Sequence, residues 1–263
     1  MTRTLKIVLA YDGTRFVGWQ RQPEGVSVQG LLEDALSRVE GRPVSAIGAG
    51  RTDAGVHALG QVASARMEHP IGPSDLARAL NAMLPPDVRV AVVEEAPEGF
   101  HARYSAREKT YRYFLSSGGP PGPFEARYTW HVPYRLSAVA MADAARLVEG
   151  EHDFAAFRSV GSSTASSRRH LSRSRLAVVP AAEAFGWALR PHGTTPGPEL
   201  FCYEVTGNGF LRHMVRAIAG SLVEVGAGRR EPGWFEDLLR PAERGQAGPT
   251  APACGLFLVG VGY

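Results

Sequence analysis

The loop at residues 48–58, GAGRTDAGVHA, combines glycines with side chains that could do chemistry. It follows a predicted strand, and loops at strand ends are common positions for functional residues. Its glycines let the backbone approach a ligand closely, while Arg51 and Asp53 are presented two residues apart. A carboxylate beside a guanidinium stays ionised and can attack an electrophilic carbon. A turn-capping carboxylate is the structural alternative for Asp53.

Motifs for nucleotide and metal binding do not fit this sequence. The dinucleotide fingerprint GxGxxG needs a third glycine where Asp53 stands, and a Walker loop needs Lys and a hydroxyl where Val56 and His57 stand. The eight histidines form no HExxH motif, and Cys202 and Cys254 have no metal-ligand spacing. There is no GxSxG nucleophile elbow. The sequence therefore supports neither of these nucleotide sites nor metal catalysis, and we expect no bound metal.

Aromatic and basic residues alternate in FHARYSAREKTYRYF, residues 100–114. Tyr111 and Tyr113 share one face of a predicted strand. An aromatic on a sheet face beside arginines could stack on a base, and the alternative is that both tyrosines are core residues. No segment matches the RNP1 motif of RNA-recognition domains, which argues against a plain sheet-surface RNA binder. The neighbouring arginines are Arg103, Arg107 and Arg112.

A segment without acidic residues, 154–182, contains five arginines. Ser and Gly run through its middle, which predicts a flexible basic loop suited to phosphates. A solvated surface loop without a ligand is the alternative. The arginines are Arg158, Arg168, Arg169, Arg173 and Arg175.

A helix is predicted over residues 210–225, where apolar residues recur at helical spacing. Arg212 and Arg216 lie four residues apart on another face of this helix. Both could simply be exposed. Alternatively, Arg216 could reach a buried carboxylate across a cleft between domains.

Length and composition describe a globular chain of one large domain or two closely packed ones. The chain has 263 residues, 44% of them hydrophobic, and a net charge of only +3. The longest apolar stretches fall far short of the roughly 20 residues of a membrane helix. The first ten residues lack the features of a signal peptide. We therefore expect a soluble, cytoplasmic protein with no membrane association.

The predicted elements place these residues in two halves of an α+β fold. Residues 1–105 read as βαββαβ, the order of ferredoxin-like and RNA-recognition folds, and carry the Asp53 loop. Residues 106–263 repeat the theme less cleanly. We expect two related halves whose antiparallel sheets meet around a central cleft. In the second half, strands are predicted at 110–116, 173–179, 185–190, 201–206 and 256–261, and helices at 137–149 and 210–225.

Eight segments, in order along nearly the whole chain, together resemble tRNA pseudouridine synthases of the TruA type. RTDAGVHA is the most specific of the motifs that they contain. The segments are YDGTRFVGWQRQP (11–23), SVQGLLEDAL (27–36), GAGRTDAGVHALGQVA (48–63), ALNAMLPPDVRV (79–90), FHARYSAREKTYRY (100–113), GEHDFAAFR (150–158), GNGFLRHMVRAIAGSLVEVG (207–226) and APACGLFLVGV (251–261).

The resemblance implies a pseudouridine synthase fold and a role for each matching residue. Asp53 matches the catalytic aspartate, and Arg51 matches the arginine that helps to extrude the target nucleotide. Tyr111 matches a tyrosine that stacks on the uracil and can handle its proton. Arg216 matches the arginine that pairs with the catalytic carboxylate, and Leu256 matches an apolar residue that lines the pocket.

The resemblance also implies a reaction and a partner. The family isomerises uridine to pseudouridine in the anticodon stem-loop of tRNA, at positions 38, 39 and/or 40. It needs no cofactor and acts as a homodimer whose subunits both contact one tRNA. His57 would be structural or contact the RNA, and Arg168 and Arg169 would bind the substrate. Family members commonly carry an SPxRxI-like segment where this chain has SSRRHL, residues 166–171, and Arg169 takes the matching arginine position.

Two other functions compete with an RNA-modifying isomerase. One is a tRNA-binding or chaperone-like protein that has the fold without the chemistry. The other is a small-molecule glycosidase, which would need a second acid near Asp53 that the sequence does not offer.

Overall fold

A computed structural model describes residues 1–159, 166–180, 198–240 and 246–263. They form two compact units, one of Met1–Lys109 with Phe257–Tyr263 and one of Thr110–Leu256. Both contain helices and mostly antiparallel strands, so the predicted α+β class is confirmed. Within these ranges, no helix has the length and apolar character that a membrane span requires.

The first unit has the predicted βαββαβ order. The central strand β1 pairs antiparallel with β3 on one side and with β4 on the other. The short β2 pairs with β3, and the last strand of the chain, β10, runs parallel to β3. The elements are β1 (Arg3–Tyr11), α1 (Val28–Glu40), β2 (Ala46–Gly48), β3 (His57–Met67), α2 (Pro73–Met83), β4 (Val88–Ala96) and β10 (Leu256–Gly262).

Local signals in the sequence explain these elements. Leu5, Ile7 and Leu9 alternate along β1 and are fully buried, as a strand with one core face requires. Ser27 caps α1 by accepting a hydrogen bond from the Gly30 N–H. Gly41 ends the same helix in the left-handed conformation, with φ of 78°.

The second unit is a sheet in the order β5, β9, β8, β7, with β6 parallel to β5. Its main helices follow the predicted positions, but the short β6, β7, α3 and α6 had no clear signal in the sequence. The elements are β5 (Glu108–Ser117), α3 (Pro123–Ala126), β6 (Trp130–Val132), α4 (Ala138–Leu147), β7 (Gly150–Asp153), β8 (Arg168–Val178), β9 (Glu199–Gly207), α5 (Met214–Gly226) and α6 (Trp234–Leu239).

Helix α5 begins four residues later than its apolar pattern predicted. His213 takes a left-handed conformation with φ of 62°, which a right-handed helix cannot contain. Its Nδ1 lies 2.6 Å from the Ser159 hydroxyl oxygen. Arg212 therefore precedes the helix, and the prediction that it shares a helix face with Arg216 is wrong.

Residues 168–178 of the basic segment form strand β8, which covers all but the last residue of the strand predicted at 173–179 and begins five residues earlier, while residues 160–165, 181 and 182 lie outside the described residues. Arg168, Arg169, Arg173 and Arg175 all lie on β8, which pairs antiparallel with β7 and β9. The inward residues Leu171, Ser174 and Leu176 are buried, so this strand has a core face despite its serines and arginines. The strand predicted at 185–190 lies outside the described residues.

Candidate active site

The loop between β2 and β3 holds Asp53 half-buried and Arg51 exposed. Two backbone hydrogen bonds fix its course: the Val56 N–H donates to the Asp53 carbonyl at 3.1 Å, and the Trp19 N–H donates to the Thr52 carbonyl at 3.0 Å. Gly55 has φ of 78° within this tight turn. The loop is therefore held by its backbone, while the Arg51 side chain extends to the surface.

A buried network of three polar side chains anchors the residues on either side of Arg51. The Tyr11 hydroxyl lies 2.8 Å from the Thr52 hydroxyl oxygen, and the Gln61 Nε2 donates to the Gly50 carbonyl at 2.9 Å and to the Tyr11 oxygen at 3.4 Å. All three side chains are buried. Burial raises the pKa of Tyr11 to about 12, so its hydroxyl stays neutral and can keep both contacts at neutral pH.

Sequence reasoning did not assign a role to this network. Tyr11 lies in a family-like segment but has no chemistry of its own to mark it. Gln61 carries the one usable signal, because it is a polar amide beside the apolar residues of a strand, where the structure buries it fully. Buried polar side chains in strands are hydrogen-bonded, so such a residue indicates a fixed polar contact.

Two glycines let the segment after β1 pack directly against the Asp53 loop. A Cβ on Gly18 would lie 2.5 Å from the Thr52 carbonyl oxygen, and one on Gly13 would lie 2.0 Å from the Val56 carbonyl oxygen. Gly18 also has φ of 107°, which other residues rarely adopt. The loop geometry therefore depends on these two positions having no side chain.

Arg51 and His57, both in the signature loop motif, have different environments. The Arg51 Nε donates to the Gln20 Oε1 at 3.0 Å, and its side chain is exposed. His57 is only 1% exposed; its Nδ1 accepts the Gly13 N–H at 3.0 Å and its ring stacks on Phe257 at 4.6 Å. This burial favours the structural one of the two roles expected for His57.

The two tyrosines of β5 are both buried, as the core alternative predicted. Tyr113 is fully buried and its hydroxyl donates to the Pro252 carbonyl at 2.8 Å, and burial raises its pKa strongly. Tyr111 is 8% exposed and meets the Phe210 ring edge-on at 5.0 Å. The two residues thus share a face, but only Tyr113 is fully enclosed.

Arg216 is half-buried on α5 and is not the exposed arginine of the simpler interpretation. Its Nε donates to the Ala251 carbonyl at 2.7 Å, and the Ala251 N–H donates back to the Arg216 carbonyl at 3.1 Å. These two bonds fix the guanidinium relative to the chain that leads into β10. Leu256, the first residue of that strand, is buried.

Acids on and next to the neighbouring strands pair with three of the arginines of β8. Glu204 on β9 pairs with Arg173 at 2.7 Å, and Glu149 pairs with Arg175. Arg168 lies 3.4 Å from Glu151 across the β7–β8 ladder.

Arg169 differs from these paired arginines. Its Nη1 donates to the backbone carbonyls of Ser166 and Arg168, and within the described part of the chain it has no carboxylate partner. It is therefore the arginine of β8 whose charge is least compensated.

Metal ligands do not cluster in this structure. Across the ranges that the structure describes, no group of three His, Cys, Asp or Glu side chains could hold a metal ion.

Comparison with known proteins gives a family for the chain. The sequence model of the family described as tRNA pseudouridine synthase matches residues 7–105 and 144–263. tRNA pseudouridine synthase A of Solibacter usitatus is 42% identical over 261 residues, 99% of this chain and 100% of that protein. The Syntrophotalea carbinolica and Myxococcus xanthus proteins of the same name are 41% and 42% identical over 98% of this chain, covering 96% and 91% of their own lengths.

Solved structures add a weaker likeness. A chain of the Cbf5-Nop10-Gar1 complex aligns with 83% of this chain and 45% of its own length, at 14% identity and a TM-score of 0.31, which is too low to inform the fold. The family match covers most of the sequence and the relatives cover nearly all of it. The chain therefore belongs to the tRNA pseudouridine synthase family and is an isomerase of uridine in tRNA.

Proposed function

We propose that this protein converts uridine to pseudouridine at positions 38, 39 and/or 40 of the tRNA anticodon stem-loop, with Asp53 as the nucleophile. The observation that carries the proposal is the anchoring of the Asp53 loop. Gly50 and Thr52 are tied to buried Gln61 and Tyr11, while the Asp53 side chain stays only half-buried. A nucleophile needs this combination of a fixed backbone and an accessible oxygen.

The reaction breaks the C1′–N1 bond and joins the same uracil to C1′ through C5. N1 gains a proton and C5 loses one, so no atom is gained or lost and no oxidant or reductant is needed. A carboxylate can start it by attack at C1′, as in retaining glycosidases, by addition at C6, or by removing the C2′ proton. Each route needs the uridine flipped out of the helix, which costs a few kcal/mol.

The remaining residues are proposed to take the roles implied by the resemblance. Arg51, exposed and held by Gln20, would fill the space left by the flipped base. Tyr111 would stack on the uracil, Arg216 would keep a carboxylate ionised, and Leu256 would exclude water. We assign His57 a structural role because it is buried.

The arginines of β8 are proposed to contact the tRNA backbone. Arg169, without a carboxylate partner among the described residues, is the stronger candidate, and Arg168 pairs with Glu151 only at the surface. We also propose that the protein is a cytoplasmic homodimer whose two subunits contact one tRNA. Sedimentation should then give twice the chain mass of 28.3 kDa.

Tritium release from tRNA labelled at uridine C5 tests the role of Asp53 directly, because each turnover replaces that hydrogen. Asp53→Asn should bind tRNA with unchanged affinity and release no tritium. Asp75→Asn, at an exposed aspartate in the first turn of α2, is the matched control and should behave as the unmodified protein.

Two results would contradict the proposal. Normal tritium release by Asp53→Asn would remove Asp53 from the chemistry. Binding without release by the unmodified protein, for every tRNA tried, would favour a tRNA-binding protein without activity.

A further inference from the structure

Lys109, one of the two lysines in the chain, lies against the glycine that begins the Asp53 loop. Its Cε and Nζ are each 3.7 Å from the position that a Cβ on Gly50 would occupy. The lysine is half-buried at the second residue of β5. Its ammonium is thus placed one residue from Arg51 and three from Asp53 along the loop.

No acid among the described residues compensates the charge of Lys109. Within the described ranges, no carboxylate lies within ion-pair distance of its Nζ, and the same holds for Arg103. Burial lowers the pKa of Lys109, and the nearby Arg103 charge lowers it further. A half-buried ammonium whose pKa is lowered by burial and by a second cation is stabilised when an anion binds to it.

The turn that carries Arg103 is held firmly in place. The His101 Nδ1 accepts the N–H groups of Arg103 and Tyr104, both at 3.2 Å. Ala102 lies between His101 and Arg103 in the chain. Its N–H donates to the Ser64 hydroxyl on β3 at 3.1 Å, and its carbonyl accepts the Tyr263 hydroxyl at 2.8 Å. The position of Arg103 is therefore fixed on the same unit as Lys109 and the Asp53 loop.

A tRNA phosphate fits this pair better than a protein carboxylate would. Phosphate oxygens accept several charge-assisted hydrogen bonds at once, from both an ammonium and a guanidinium. The Tyr104 ring beside Arg103 is 78% exposed and stacks on His101 at 4.3 Å, so an aromatic surface accompanies the cations, as in other sites for single-stranded RNA.

We propose that Lys109 and Arg103 bind a backbone phosphate of the tRNA next to the uridine that Asp53 attacks. This inference rests on the proposed function, since it assigns an RNA contact beside the same loop. Lys109 acts here as a positioning residue: it holds the nucleotide chain and takes no part in bond making.

The test measures tRNA affinity as a function of salt, between about 50 and 200 mM, in the Asp53→Asn background, where no turnover occurs. Lys109→Met keeps the length of the side chain and removes its charge. It should weaken binding about tenfold at the lowest salt and reduce the slope of log affinity against log salt by about 0.7–0.9. Lys109→Arg should retain most of the affinity and the slope.

Lys6→Met is the matched control, because Lys6 is the other lysine and pairs with Glu94 on the neighbouring strand. Its slope should equal that of the parent. The melting temperature of Lys109→Met should equal or exceed that of the parent, since a half-buried, repelled charge is removed. A merely structural lysine would instead lower the melting temperature when replaced.

An unchanged salt slope in Lys109→Met would overturn the proposal, and so would a loss of affinity that comes with a lower melting temperature. Failure of the proposed function is a separate result. If the unmodified protein binds tRNA but releases no tritium, the proposal that Asp53 is a nucleophile is wrong. The salt slopes of the Lys109 variants still decide whether Lys109 contacts a phosphate.

Discussion

The position of Asp53 depends on residues that do not react. Tyr11, Thr52 and Gln61 form one buried network that ties the loop to two strands of the first unit. Each member is buried, so removing one hydroxyl leaves the remaining polar groups with a lost hydrogen bond. Water cannot reach these groups to replace that bond. Catalysis and stability should therefore both respond to a change at Tyr11, although Tyr11 takes no part in bond making.

Tyr11→Phe should lower the free energy of unfolding by about 1–2 kcal/mol and reduce the turnover rate. Urea denaturation and tritium release measure the two effects. Tyr203→Phe is the control, because its buried hydroxyl also bonds a buried partner, Ser174 at 3.0 Å, in the second unit. It should lose similar stability with normal turnover; equal loss of turnover in both variants would separate the network from catalysis.

Tyr111 supports a prediction about its ring. Tyr111→Phe keeps the ring and its edge-on contact with Phe210 and removes only the hydroxyl. Tyr111→Ala should cost about 3 kcal/mol, since a buried aromatic is removed. Turnover then separates the roles: activity in the Phe variant means that stacking suffices, and equal loss in both variants implicates the hydroxyl.

At the scale of elements, the close packing of residues 12–19 on the Asp53 loop leaves no room at Gly18. Gly18→Ala should lower turnover at least tenfold, because the new Cβ meets the Thr52 carbonyl oxygen and the backbone is strained at φ of 107°. Gly41→Ala is the control: its φ is 78°, but nothing lies within 4 Å of the added Cβ. It should lose about 1 kcal/mol of stability and no activity. Equal turnover in the two variants would contradict this account.

The first unit could be predicted from sequence because its signals are local. The β-rich run at 6–11, the helical spacing of apolar residues after Ser27 and the pair Pro85-Pro86 after α2 each act within a few residues, and the βαββαβ order followed from such signals. The position of the Asp53 loop at a strand end was also predictable. Its anchoring by Tyr11 and Gln61 was not, because residues far apart in the chain make that network.

The second unit shows why other signals fail. The serines and arginines before residue 173 suggested a loop, but β8 begins at Arg168, and the acids that pair with Arg173 and Arg175, Glu204 and Glu149, lie elsewhere in the chain. The composition of a short stretch of sequence says nothing about ion-pair partners that lie elsewhere in the chain. Likewise, the apolar pattern of α5 continues through the left-handed His213, so periodicity alone placed the helix start too early.

For the whole molecule, the buried tyrosines predict alkaline destabilisation. Burial raises the pKa of Tyr11 to about 12 and raises those of Tyr113 and Tyr203 as well. Unfolded tyrosines ionise near pH 10, so above that pH the unfolded chain binds fewer protons and stability falls.

The fall for Tyr11 should be about 1.4 kcal/mol per pH unit between about pH 10 and about 12. The urea concentration at the midpoint of unfolding should change little with pH below about pH 9, where these tyrosines are protonated in both states. It should decline above about pH 10. In Tyr11→Phe, the free energy of unfolding should fall less steeply with pH, because one fewer tyrosine releases a proton on unfolding. An identical alkaline slope in that variant would show that Tyr11 ionises normally in the folded state.

The most direct test of the central claim is a map of pseudouridine in tRNA from cells that lack this protein, complemented with the unmodified protein or with Asp53→Asn. Pseudouridine at positions 38–40 should be absent in the deletion strain, restored by the unmodified protein and not restored by Asp53→Asn. Pseudouridine that persists at these positions without the protein, or that returns with Asp53→Asn, would contradict the account.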